Sequence, residues 1–140
     1  MKTSKRLHIF LAHARDDEKR VLRLYRRLTR DGMDAWLDRE RLQPGQDWDH
    51  EIRTAIHCTD LVIVCLSNRY VHKRGYCQNE LRMVLEEANL LPPYATFIIP
   101  ARLDACEMPE PLRRWQRVDL FREGGYQRLM GVLREQVESK

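Results

Sequence analysis

The stretch KRGYCQNEL, Lys73 to Leu81, sets an aromatic ring and a carboxylate four residues apart, Tyr76 and Glu80, behind a basic glycine loop and one turn into a helical pattern. Residues so spaced lie side by side on a helix surface. An ionised carboxylate there can stabilise positive charge developing on a bound molecule, and the ring beside it offers a flat apolar face with a polar tip. The plainer reading is helix chemistry. An acid near a helix start faces the positive end of the macrodipole and gains roughly a few tenths of a kcal/mol. Where the rest of the chain places Glu80 therefore decides what it is for.

Other residues able to do chemistry carry plainer readings beside the functional ones. His13, at the end of an apolar run, either contacts a ligand or satisfies backbone groups. Arg39 and Arg41 either meet a pyrophosphate or are solvated loop charges, and Trp48 reads more simply as the apolar anchor of its helix than as a ligand contact. His50 and His57 share one helix, but no third ligand stands at a spacing that would complete a metal site. The four cysteines, Cys58, Cys65, Cys77 and Cys106, show neither CxxC nor CxxH spacing, and Cys65 sits in an apolar run as a small hydrophobe, so neither zinc nor disulfides are expected. Asp16 and Asp17 could be the acid pair of a phosphate-accepting receiver domain. That reading fails because Ser67-Asn68 and Ala101-Arg102 stand where it needs an Asp and a Lys, which leaves the two acids as a favourable first helical turn.

The elements that must position these residues follow from hydrophobic periodicity. RLHIFLAH (6–13) reads as a strand, and the next segment as a helix with Val21, Leu24, Tyr25 and Leu28 on one face and Gly32 as its stop. MDAWLD reads as a second strand and RERLQPGQ as a turn-rich loop with Pro44 and Gly45. Asp47 can cap the helix WDHEIRTAIHC, in which Trp48, Ile52, Ala55 and Ile56 align. DLVIVCLSN is continuously apolar, as expected of a central strand buried on both faces. A helix from about Tyr76 to Leu90 follows, stopped by Pro92 and Pro93; then come the strand ATFIIPA, a Pro-rich loop, a short RVDL and a last helix near 126–137.

This alternation predicts an α/β, flavodoxin-like, doubly wound parallel sheet of about five strands with helices on both faces. In the order 2-1-3-4-5, ligands bind beyond the carboxyl ends of strands 1 and 3, where HARDD and SNRYVHKRGYCQNE lie. On the helical wheel Cys77, Leu81, Val84, Leu85 and Ala88 form the buried stripe and Glu80 its half-sheltered shoulder. The 140 residues fit one domain, with QVESK able to run into another. The formal charge of +4, from 25 basic and 21 acidic residues scattered over helix faces, makes a solvated surface and not a nucleic-acid groove, while polyphosphate ligands stay compatible. No apolar run approaches a membrane span of about 18 residues, and the N-terminal apolar core is too short for a signal peptide, so the expectation is a cytoplasmic protein with no membrane partner.

Taken in order, these segments resemble the Toll/interleukin receptor (TIR) domain, prokaryotic type. IFLAHARDDE resembles the family's first box, AWLDRERLQPGQDW its second (the BB loop), LVIVCLSNRY its central strand, and FIIPARLDACEMPEPLRRWQRVDLF the fourth strand and following loop of bacterial members. KRGYCQNEL resembles the segment ending in the catalytic glutamate of members that cleave NAD. The match runs over about residues 6–137, and ordered motifs are more specific than any one alone. Two positions depart from the pattern: Tyr76 stands where Trp is frequent and Ala12 where Ser is frequent. The resemblance implies Glu80 as catalytic residue, with Tyr76, His13, Ala12, Ser67, Arg39 and Trp48 on the substrate side and Leu42, Pro44 and Gly45 in an assembly loop. It implies NAD as substrate with no separate cofactor or metal, other TIR domains as partners in a homo-oligomer or filament, and a role in bacterial defence signalling. A non-catalytic adaptor working through TIR–TIR contacts is the alternative, and linear and cyclised ADP-ribose products both stay open.

Overall fold

The computed structural model describes residues 6–37, 43–72 and 76–139, with Tyr76 and Cys77 placed by backbone alone. Arg39, Arg41 and Leu42 lie outside the described residues. The strands are β1 (His8–Ala12), β2 (Asp34–Trp36), β3 (Leu61–Leu66), β4 (Ile98–Arg102) and β5 (Val118–Asp119), and the helices are α1 (Glu18–Arg30), α2 (Trp48–Cys58), α3 (Asn68–His72), α4 (Tyr76–Ala88) and α5 (Gly125–Glu138). Every strand pairing is parallel and the order is β2-β1-β3-β4-β5, the doubly wound topology expected from the sequence.

Burial explains the strand assignments. β3 is buried at all six positions, as its unbroken apolar run requires of a strand covered on both faces. Ile9, Leu11, Ile63 and Ala101 face one layer with Val21, Leu24 and Leu28 of α1 and Leu129 and Leu133 of α5. Phe10, Val62, Val64 and Leu66 face the other with Ile52 and Ile56 of α2 and Leu81 and Val84 of α4. The result is a three-layer sandwich whose strands all run toward one end. Even Pro100 fits inside β4. The bonds Val62 N–H to Phe97 O, Leu103 N–H to Leu66 O and Leu120 N–H to Arg102 O show that odd-numbered residues of β4 face β3 and even-numbered ones face β5. The missing N–H of Pro100 therefore points where β5, which pairs only from Ala101, has not begun.

Helix ends follow the local signals. Asp47 accepts from His50 N–H at 3.2 Å and caps α2 as expected. Gly32, at φ +92°, closes α1 with Met33 N–H on Leu28 O at 2.9 Å, so the left-handed position falls on the residue that tolerates it. α3 stands where the sequence pattern predicts loop. It begins one residue beyond Ser67 and ends just before the basic glycine loop.

Candidate active site

At the carboxyl end of the sheet, β1 ends at Ala12 and is followed by His13, β3 ends at Leu66 and is followed by Ser67, and β4 ends at Arg102 before Leu103 and Asp104. This is the mouth predicted from the strand order. His13 is buried and its Nδ1–H donates to Leu11 O at 3.1 Å, which selects the backbone-satisfying reading for that nitrogen. Ala12 is fully buried against β3, opposite Val64. The Ser67 hydroxyl is doubly engaged. It accepts from Tyr70 N–H at 3.0 Å, capping α3, and donates to Asp17 Oδ2.

Glu80 is fully buried, which corrects the half-sheltered position expected for it. The buried arc of α4 runs through Glu80, Leu81, Met83 and Val84, with Leu85 and Ala88 only half-buried, so it is rotated toward Glu80 relative to the apolar stripe. α4 packs against both α2 and the sheet, and two contacts enclose a wider arc than one. Glu80 is also the fifth residue of α4, just past the first turn, where the macrodipole contributes less than the sequence reading assumed.

The most consequential feature missed from sequence is Asp17. Its side chain is wholly enclosed, and Arg20 Nη2 donates to its Oδ1 at 2.6 Å while Arg69 Nη1 lies 4.0 Å away. Arg20 continues to Asp104 at 3.2 Å, and Asp104 Oδ1 accepts from Asn68 N–H at 3.1 Å. Arg69 Nη1 donates to Asp16 O at 2.7 Å. Asp17 is thus the centre of a network joining the ends of β1, β3 and β4. The only available signal was the ordinary one of acids opening a helix.

Burial above all, and then the charges of Asp17 and Glu80, push the Cys65 thiol far up and keep it protonated. Among the described residues, a cavity of about 400 Å³ opens at the opposite end of the sheet beside His8, Asp34 and Thr54, and one of about 370 Å³ runs outside α4 beside Tyr70, Leu81 and Leu85. Trp48 opens α2 half-buried against the second layer, the anchoring role favoured for it. Pro44 and Gly45 are exposed in a turn closed by Gln46 N–H on Gln43 O at 3.1 Å, and Gly45 holds φ +90°. His57 Nδ1 pairs with Glu87 at 2.6 Å, tying α2 to α4. Among the described residues no group of three or more His, Cys, Asp or Glu side chains is arranged to hold a metal ion.

Comparison with known proteins places this geometry. A family model described as TIR domain matches residues 9–130. Among curated proteins, a probable 2′ cyclic ADP-D-ribose synthase of Brachypodium distachyon is 30% identical over 100 residues, 70% of this chain and 44% of that protein, so the chain spans less than half the length of the relative. Among solved structures, the TIR domain of a Toll-related receptor from Hydra magnipapillata superposes with a TM-score of 0.75 at 22% identity, covering 90% of this chain and 97% of its own. A CMP N-glycosidase of Clostridium botulinum superposes with a TM-score of 0.60 at 18% identity, covering 89% and 98%. At these identities the two structures speak to the fold alone.

Proposed function

This chain belongs to the TIR-domain family, and on that premise we propose that it cleaves the nicotinamide–ribose bond of NAD with Glu80 as the catalytic carboxylate. The observation that carries the reading is a carboxylate fully buried on the core-facing arc of α4, next to the mouth where the fold binds ligands. A carboxylate is rarely buried this completely, which makes its place beside the ligand-binding end of the sheet the feature that a function must account for. Expelling neutral nicotinamide from a cationic pyridinium needs no proton donor, so the second carboxylate of an ordinary glycosidase is unnecessary. Glu80 can hold ribose hydroxyls and stabilise the oxocarbenium-like transition state. Tyr76 supplies a stacking face in this reading, with Ala12, His13 and Ser67 on the substrate side; Arg39, proposed there too, lies outside the described residues, and Trp48 serves as the anchor of α2. The 2′ cyclic ADP-D-ribose synthase named for the Brachypodium relative supports an NAD-derived product.

The same burial bears on control. Ribose reaches a fully buried Glu80 only after the mouth opens, and contact with a second copy through the loop containing Leu42, Pro44 and Gly45 is the opening event we favour. The setting proposed is cytoplasmic bacterial defence signalling, with NAD as substrate and no separate cofactor. An adaptor that only assembles with other TIR domains is the second reading, and the closed Glu80 is what favours it. Incubation with NAD followed by chromatography decides between them. Cleavage yields nicotinamide with ADP-ribose or its cyclised isomer; an adaptor yields neither at any protein concentration.

A further inference from the structure

We propose that Asp17 is a positioning residue, whose buried carboxylate fixes the start of α3 and through it the segment that delivers Tyr76 and Glu80. The argument rests on connectivity. α3 is a single short helix, Asn68–His72, and the chain passes from it through three residues into α4. Its N-terminus is held by three bonds that converge on the Asp17 network. Ser67 Oγ caps Tyr70 N–H while donating to Asp17; Asp104 Oδ1 receives Asn68 N–H while pairing with Arg20; and Arg69 reaches Asp16 O beside the Asp17 carboxylate. A five-residue helix has too few internal bonds to hold its own orientation in water. Asp17 in turn is held by Arg20 within α1, a helix packed along its length on the sheet. The packed α1 layer thus fixes the short helix from which the chain enters the catalytic segment, while α2 and the sheet hold the body of α4.

This proposal rests on the assignment of Glu80, and its test separates the two. Asp17→Asn keeps the shape and removes the charge; Ser67→Ala leaves the Asp17–Arg20 pair and cuts its direct link to α3, which keeps the question answerable if Asp17→Asn does not fold. Tyr126→Phe is the control, since it removes the 2.6 Å bond from Tyr126 to Asp31 at the C-terminal end of α1, the far end of the sheet. Amide hydrogen exchange and NAD turnover are measured on all four proteins. Positioning predicts faster exchange confined to residues 68–81 and a kcat lowered about ten- to hundredfold in both network variants, because misplacement on the order of 1 Å costs that much, with kcat unchanged in Tyr126→Phe. Unchanged exchange in 68–81, exchange raised evenly along the chain, or locally raised exchange with full kcat would each overturn it. If the wild type fused to a filament-promoting partner releases no nicotinamide, the assignment of Glu80 fails, and the exchange measurement still decides whether Asp17 holds α3.

Discussion

Glu80 and Asp17 show how differently two buried carboxylates read from sequence. Glu80 was visible because it stands four residues after Tyr76 in a segment with a recognisable order, yet its degree of burial was not, since a helical wheel counts apolar residues and sets any carboxylate at their edge. Asp17 was passed over because acids opening a helix already have an explanation, and its true partner, Ser67, is fifty residues away. Only the tertiary pairing of β1 with β3 brings them together. For Tyr76 the two readings make opposite predictions. As a stacking face, Tyr76→Trp keeps turnover while Tyr76→Ala raises KM or abolishes activity with the melting temperature nearly unchanged; equal loss of stability and activity in Tyr76→Ala identifies a packing residue.

At the level of elements, every strand and the long periodic helices were legible, and the short helix α3 was not. β3 and α2 agree with the reading, α2 over 48–58 as expected, because an unbroken apolar run and an Asp cap are local signals. α3 has five residues and no periodicity to detect, so it depends on what it meets, whereas β5, only two residues long, falls inside the short RVDL read as the last strand. β5 is secured by Arg102, which clasps Asp119 with Nε at 2.7 Å and Nη2 at 3.0 Å and donates to Cys106 O at 2.8 Å. The Arg102 hydrogen bonds, opposed by partial burial, lower the Asp119 carboxyl from the ordinary 3.8 to about 2. A carboxyl depressed on folding stabilises above its unfolded value, and that stability is lost as pH falls from about 4 through about 2. The contribution at neutral pH is on the order of 2 kcal/mol. Wild type should therefore exceed Asp119→Asn in thermal stability at pH 7 and lose that margin progressively below pH 4; a difference constant from pH 7 to pH 2 would exclude the linkage.

For the whole molecule, the strand order was legible because alternating units with right-handed crossovers leave few topologies, and that order alone located the mouth. Assembly is not written in a single chain's packing. The exposed turn at Pro44 offers a test that Gly45 does not, because any side chain at φ +90° strains the backbone whatever it touches. If a neighbouring copy opens the site, specific activity rises faster than linearly with protein concentration, and Pro44→Glu folds but stays silent; linear activity indifferent to Pro44→Glu would exclude assembly control. The most direct test of the account compares nicotinamide release by wild type and Glu80→Gln, both fused to a filament-promoting partner so that assembly is held constant. The account predicts turnover lower by on the order of a thousandfold, about 4 kcal/mol of transition-state stabilisation, with unchanged far-UV circular dichroism. A folded Glu80→Gln protein that releases nicotinamide at the wild-type rate would contradict it.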